Sequence, residues 1–133
     1  MGANLDLVRS IYADWERGDF GQVEWAHPDI EWTAVDGLSP GTARGIPAMG
    51  LGWRDFVGEW SDFHSDAEEY RELDDERVLV LHTFSGRGRT SGVEVGPTGA
   101  RGACLFHLSD GKVTKLLLYS VRDRALADLG LEE

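Results

Sequence analysis

The side chains in this sequence suited to chemistry are four histidines, three tyrosines, one cysteine and scattered carboxylates. His107 stands out among them. It lies in the run Ala103-Cys-Leu-Phe-His-Leu-Ser109, which Asp110-Gly111 joins to Lys112-Val-Thr-Lys-Leu-Leu-Leu-Tyr-Ser-Val121. A neutral imidazole among apolar neighbours can serve as a general base or as a hydrogen-bonding contact for a ligand. The plainer reading is a histidine near a turn, bonded to Thr114 or to a backbone carbonyl. His82 sits mid-strand with Val78, Val80 and Phe84, either lining a pocket or lying between subunits. Tyr12 reads first as helix packing, with a place at the pocket mouth as its alternative, Tyr119 as interface or core, and Cys104 as a buried small hydrophobe. His64-x-Asp66 lacks a third ligand, so no metal is expected. Gly86-x-Gly88-x-x-x-Gly92 has the wrong spacing for a dinucleotide fingerprint, and no cofactor is expected. Arg87 and Arg89 read as ion pairs with the acidic strand.

Asp110-Gly111 between two strand-like runs is a strong hairpin signal, because both central residues of a type I′ turn need positive φ. A two-residue turn sets Ser109 opposite Lys112, His107 opposite Thr114, Leu105 opposite Leu116 and Ala103 opposite Leu118. Alternation puts these on one face and Cys104, Phe106, Leu108, Leu117, Tyr119 and Val121 on the other. Both faces are largely apolar, so something covers each. One is expected to line a pocket, the other to pack in a core or against a second subunit.

The rest of the chain reads as α-α-β-α-β-β-β-β-α. Asn4 caps a helix to about Arg17, with Leu5, Val8, Tyr12 and Trp15 on its apolar stripe and Leu7 and Ile11 widening it. Gly18 stops it, and Asp19 with Gln22 opens a short second helix ended by His27-Pro28-Asp29. A strand spans Ile30 to Val35, and Asp36 to Gly45 is a loop. A helix from about Ile46 to Trp60 carries Met49, Trp53, Phe56 and Trp60, its glycines tolerable where a helix lies close on a sheet. Strands follow over Phe63 to Leu73 and Val78 to Ser85, then an irregular stretch from Gly86 to Gly99. The last helix spans about Asp123 to Leu129 and stops at Gly130. Helices before a run of strands indicate an α+β fold.

The length of 133 residues suits one domain, 1–133, with a full core. The net charge of −11 repels phosphate backbones and anionic lipid, so neither nucleic acid nor membrane is an expected partner. One cysteine excludes an internal disulfide, and with no signal peptide evident, a cytoplasmic setting is expected. Five tryptophans are many for this size and suit the walls of a cavity.

The element order, with Trp15-Glu-Arg-Gly-Asp-Phe20 closing the first helix, resembles the SnoaL-like branch of the NTF2-like superfamily. So do Gly86-Arg-Gly-Arg-Thr-Ser-Gly92, Asp110-Gly-Lys-Val113 and Arg124-Ala-Leu-Ala-Asp-Leu-Gly-Leu131. The resemblance implies an NTF2-like cone: a strongly curved, antiparallel or mixed sheet wrapped by N-terminal helices around a pocket, often dimeric through the outer sheet face. It also marks the Leu105 and His107 face as inward. Ketosteroid isomerase, a relative, needs a carboxylate base, a Tyr and a protonated Asp. The matching positions here are Ala34, Ile11 and Leu105, so the chain resembles that container without its chemistry. The SnoaL-type polyketide cyclases resemble it around Pro97-Thr98-Gly99, but Gly111-Lys-Val-Thr-Lys-Leu-Leu-Leu118 lacks their last-strand acid. The Arg-x-Asp pair of limonene epoxide hydrolases has no counterpart in 78–85 or 116–121.

The expected function is therefore binding of a small apolar molecule, aromatic or polycyclic. Its pocket would be lined by Ile11, Trp15, Trp32, Ala34, Trp53, Phe56, Trp60, His82, Leu105, His107, Leu116 and Leu118. The alternatives are an isomerase, cyclase or hydratase using His107 as acid–base, favoured if Asp55 or Glu59 converges on it, and a non-catalytic interaction domain. A homodimer is expected through the outer face, using Phe106, Lys115, Leu117 and Tyr119.

Overall fold

The computed structural model describes residues 3–17, 24–35, 41–58, 60–88, 94–119 and 121–131, with side chains except at 53, 55–58, 60–65, 84–88 and 94–100. The elements are α1 (Ala3–Glu16), β1 (Ala26–Ala34), β2 (Gly41–Arg44), α2 (Ile46–Gly58), β3 (Trp60–Glu72), β4 (Arg77–Gly88), β5 (Glu94–Ser109), β6 (Lys112–Tyr119) and α3 (Arg122–Leu129). The six strands form one open mixed sheet in the order β2-β1-β6-β5-β4-β3. Only β1 and β6 run parallel; every other neighbouring pair is antiparallel. This is the α+β cone expected from the sequence.

Two apolar clusters sit on opposite faces of the sheet. The inner one joins Val8, Ile11, Tyr12 and Trp15 of α1 and Met49 of α2 to Ile30, Trp32, Ala34, Val78, Val80, Cys104, Phe106, Leu108, Val113, Leu116 and Leu118. The outer one joins Leu79, Leu81, Ala103, Leu105 and Tyr119 to Ala125 and Leu126 of α3. Strand alternation explains the division, since each central strand is apolar on both sides and each side has its own helical cover. α3 is pinned by its αL cap at Gly130 (φ 68°) and by Tyr119 Oη donating to Asp128 Oδ2 at 3.2 Å.

Several local expectations are corrected. The Asp110-Gly111 turn has its positive φ values, 52° and 76°. The hairpin keeps this register through Leu108–Val113 and then slips, because a bulge at Thr114 adds one residue to β6. His107 then pairs with Lys115, Leu105 with Leu117 and Ala103 with Tyr119. Phe106 thus points inward and is fully buried, and Tyr119 packs under α3, so neither is a bare surface group. α3 covers part of the outer face, so helices lie against both sides of the sheet.

Asn4 is inside α1 and donates to the Asp75 carbonyl at 2.7 Å instead of capping. The second helix over Asp19 and Gln22 lies outside the described residues, and His27-Pro28-Asp29 belongs to β1. Residues 41–44 of the expected loop form an edge strand on β1. β4 runs to Gly88 and β5 starts at Glu94, so most of the stretch expected to be irregular is sheet.

α2 approaches β1 closely at Gly52. A Cβ there would meet the Trp32 ring at 2.7 Å and 2.9 Å. Gly52→Ala is therefore expected to destabilise by about 1–3 kcal/mol through overpacking, against the gain that helix propensity alone would give. Chemical denaturation of the variant checks this, and an unchanged or raised midpoint would contradict the close packing.

Candidate functional site

The inner face holds one buried polar centre among the described residues. His82 on β4 is 7% exposed, and its Nδ1 lies 3.0 Å from Tyr12 Oη on α1. Cys104 on β5 is buried in the same inner cluster as Tyr12. Tyr12 is the hub of an aromatic cluster, its ring centroid 4.9 Å from Trp15 and 6.1 Å from each of Tyr70, His82 and Phe106. Three elements far apart in sequence, α1, β4 and β5, thus meet around Tyr12.

Burial sets the charge of each group. Desolvation, aided by the Arg122 guanidinium, pulls the His82 pKa down to about 4. Desolvation pushes the Tyr12 hydroxyl well above its ordinary value and the Cys104 thiol up to about 12. At neutral pH all three are uncharged. The centre offers neutral donors and acceptors in an apolar surround, and no thiolate nucleophile.

His82 is also held from behind. Arg122, 6% exposed, donates from Nη2 to the His82 carbonyl at 2.9 Å and from Nε to the Gly102 carbonyl at 3.4 Å. The same Nη2 pairs with Glu68 Oε1 at 2.5 Å. This one side chain ties α3 to β3, β4 and β5. Its role escaped the sequence reading; the only hint was a cation in the first turn of a helix, which runs against the helix dipole unless it is paired.

The structure brings together Ile11, Trp15, Trp32, Ala34, Leu116 and Leu118 in the inner cluster, with His82 on the same face. Leu105 and His107 do not join them. Leu105 belongs to the outer cluster, and His107, between the inward Phe106 and Leu108, is half-buried on the outer face. Burial, then Lys115 and Arg77, hold the His107 pKa below its ordinary value. Its backbone carbonyl accepts from Thr114 Oγ1 at 3.3 Å. The side chains of Trp53, Phe56, Trp60, Asp55, Arg87 and His64 lie outside the described ones, as do Glu59 and Arg89 altogether. Tyr12, read as packing, is the residue that sequence reasoning undervalued. Among the described residues no group of three or more His, Cys, Asp or Glu is placed to hold a metal ion, and no helix is long and apolar enough to cross a membrane.

Comparison with solved structures finds the same fold in proteins of low identity. An NTF2-like protein of unknown function from Burkholderia pseudomallei is 21% identical with a TM-score of 0.78, covering 96% of this chain and 97% of that one. TerC, co-crystallised with polyporic acid, is 20% identical with a TM-score of 0.74 and the same coverage, 96% and 97%. A putative SnoaL-like polyketide cyclase from Jannaschia is 17% identical with a TM-score of 0.66, covering 88% and 84%. No curated protein matches the chain by sequence. The model of the SnoaL-like domain family matches residues 8–116, from the middle of α1 to the inward Leu116 of β6, and the chain belongs to that family.

Proposed function

We propose that this protein binds a small, neutral, mostly apolar molecule on the inner side of its sheet, with Tyr12 and His82 as the polar contacts. The observation that carries this reading is the Tyr12–His82 pair itself, a hydroxyl and an imidazole 3.0 Å apart in a surround of aromatic rings. A pair kept neutral by burial favours a hydroxyl or carbonyl over a carboxylate or phosphate, which would enter without a counter-charge. An aromatic or polycyclic skeleton suits Trp15, Trp32 and Phe106 around it. The crystallisation of TerC with polyporic acid lends support from another member of the fold. The acid–base role expected of His107 has no part in this reading, because its side chain lies on the outer face.

Native mass spectrometry of protein purified from its own host should show a bound mass. Titration with 2-naphthol, a neutral bicyclic phenol, should saturate, and Tyr12→Phe should weaken it about tenfold through one lost hydrogen bond. Absence of any bound mass together with non-saturating titration would overturn the reading.

A further inference from the structure

Three residues on neighbouring strands share one row across the sheet. Ala67 on β3 is opposite His82 on β4, and His82 is opposite Gly102 on β5. Helices on both faces of the sheet hold this row. From α1, Glu16 Oε2 accepts from the Ala67 backbone N–H at 3.0 Å, and Tyr12 Oη meets His82 Nδ1 at 3.0 Å. From α3, Arg122 donates to the carbonyls of His82 (2.9 Å) and Gly102 (3.4 Å). The β3–β4 register shifts at the same row. Ala67 pairs with His82 but Glu69 with Leu81, so Glu68 is an extra, bulged residue. Glu68 is also the carboxylate that meets Arg122 Nη2 at 2.5 Å.

A bulge disrupts the ladder that would otherwise fix the backbone beside His82. Arg122 supplies what the ladder lacks there. Its planar fork presents donors in a fixed geometry, so two carbonyls and one carboxylate bound together set the position of the strand. Arg122 is 6% exposed, and a buried guanidinium that left these partners would be strongly unfavourable. The bond between Tyr12 and His82 spans α1 and β4, and a hydrogen bond weakens steeply when either side shifts or turns. Whatever fixes the β4 backbone at this row therefore also sets the geometry of the inner contact.

We propose that Arg122 is the positioning residue of the inner site: it clamps the His82 and Gly102 carbonyls, is aimed by Glu68, and so holds the His82 imidazole in reach of Tyr12. The proposal rests on the reading of the Tyr12–His82 pair as the binding contact. It makes a site on the inner face depend on a helix of the outer face. With α3 seated, the imidazole is fixed and meets the hydroxyl. With the clamp broken, the bulged row loosens, the two side chains part, and a ligand must restore their geometry as it binds. The groups facing His82 are Arg122 from α3, Glu68 from β3 and Tyr12 from α1, with Cys104 of β5 in the same cluster.

Arg122→Lys is the test, because lysine keeps the charge and loses the fork. The first readout is the imidazole nitrogen NMR of His82 in ligand-free protein, with Tyr12→Phe marking the signals of a ring that has lost its partner. Arg122→Lys should move the Nδ1 signal in that same direction, and should move it no further in the Tyr12→Phe background. The second readout is affinity for 2-naphthol. Each single variant should lose about tenfold, and the double variant about tenfold again in total, not about a hundredfold, because both changes remove one contact. A role in stability alone would leave the imidazole signals of the folded variant at their wild-type positions and give losses that add. If Arg122→Lys loses its native circular dichroism, Glu68→Gln replaces it. That change falls on a half-exposed carboxylate and should give a smaller shift in the same direction. An Nδ1 signal unmoved in the folded variants, or losses that add, would overturn the proposal. A wild type that ignores 2-naphthol overturns the binding reading instead, and the NMR comparison alone then decides the role of Arg122.

Discussion

Phe106→Ala is expected to destabilise the fold by about 3–5 kcal/mol, while His107→Ala, one residue along, should change it by less than about 1 kcal/mol. Phe106 is fully buried in the inner cluster, stacked on Trp15 at 6.0 Å and edge-on to Tyr12 at 6.1 Å. Its removal leaves a void that rings held by α1 and β4 cannot collapse to fill. His107 keeps one side in water and contributes no ring to that cluster. The pair tests the β5 register directly. A slip by one residue exchanges the two faces, and the larger loss would then fall at position 107. Equal losses at both positions in urea denaturation would contradict the assigned faces.

Acidification should remove about 3 kcal/mol of stability between about pH 6.5 and pH 4 through His82 alone. In the unfolded chain this imidazole takes a proton near the ordinary value; in the fold it does so only near 4. Across that window the unfolded state binds more protons, so stability falls with falling pH, and below the folded value the loss is complete. His107, also lowered, acts with the same sign. Glu68 and Asp74, both lowered by their arginine or backbone partners, act below the ordinary carboxylate value. His82→Gln isolates the main contribution. Its denaturation midpoint should be lower than wild type at neutral pH and much flatter on acidification. Parallel profiles for the two proteins would show that His82 is not buried as described.

Much of the frame was legible because it rests on local chemistry. Asp110-Gly111 marks its turn, Gly130 its helix end, and the Val8, Ile11, Tyr12, Trp15 spacing its buried stripe. What failed was non-local. The β5–β6 hairpin is apolar on both sides, so alternation could not say which side faces α1. That depended on α3 folding back over Leu79, Leu105 and Tyr119. The bulge left one trace, two polar residues, Thr114 and Lys115, between the apolar Val113 and Leu116, which a strict period of two does not allow. Tyr12 was found as a helix aromatic, but its partner His82 lies 70 residues away, and no spacing rule joins them. Edge strand β2 was hidden for a similar reason. Gly-Thr-Ala-Arg has little strand propensity and is held by its neighbour β1.

The parallel pairing of β1 with β6 constrains how the chain is made. Trp32 and Ala34 bond beside Leu116 and Leu118, partners roughly eighty residues apart in the chain. During synthesis β1 and β2 emerge early and have no central strand to join until β6 leaves the ribosome. α1 can rest on β3 and β4 before then, but Trp32 stays without its sheet neighbour. High contact order slows folding, because closing so large a loop is unfavourable until its far contacts form. The nascent chain is thus held open almost to its last helix, and any truncation before Lys112 leaves a half-sheet with an unprotected edge at β5.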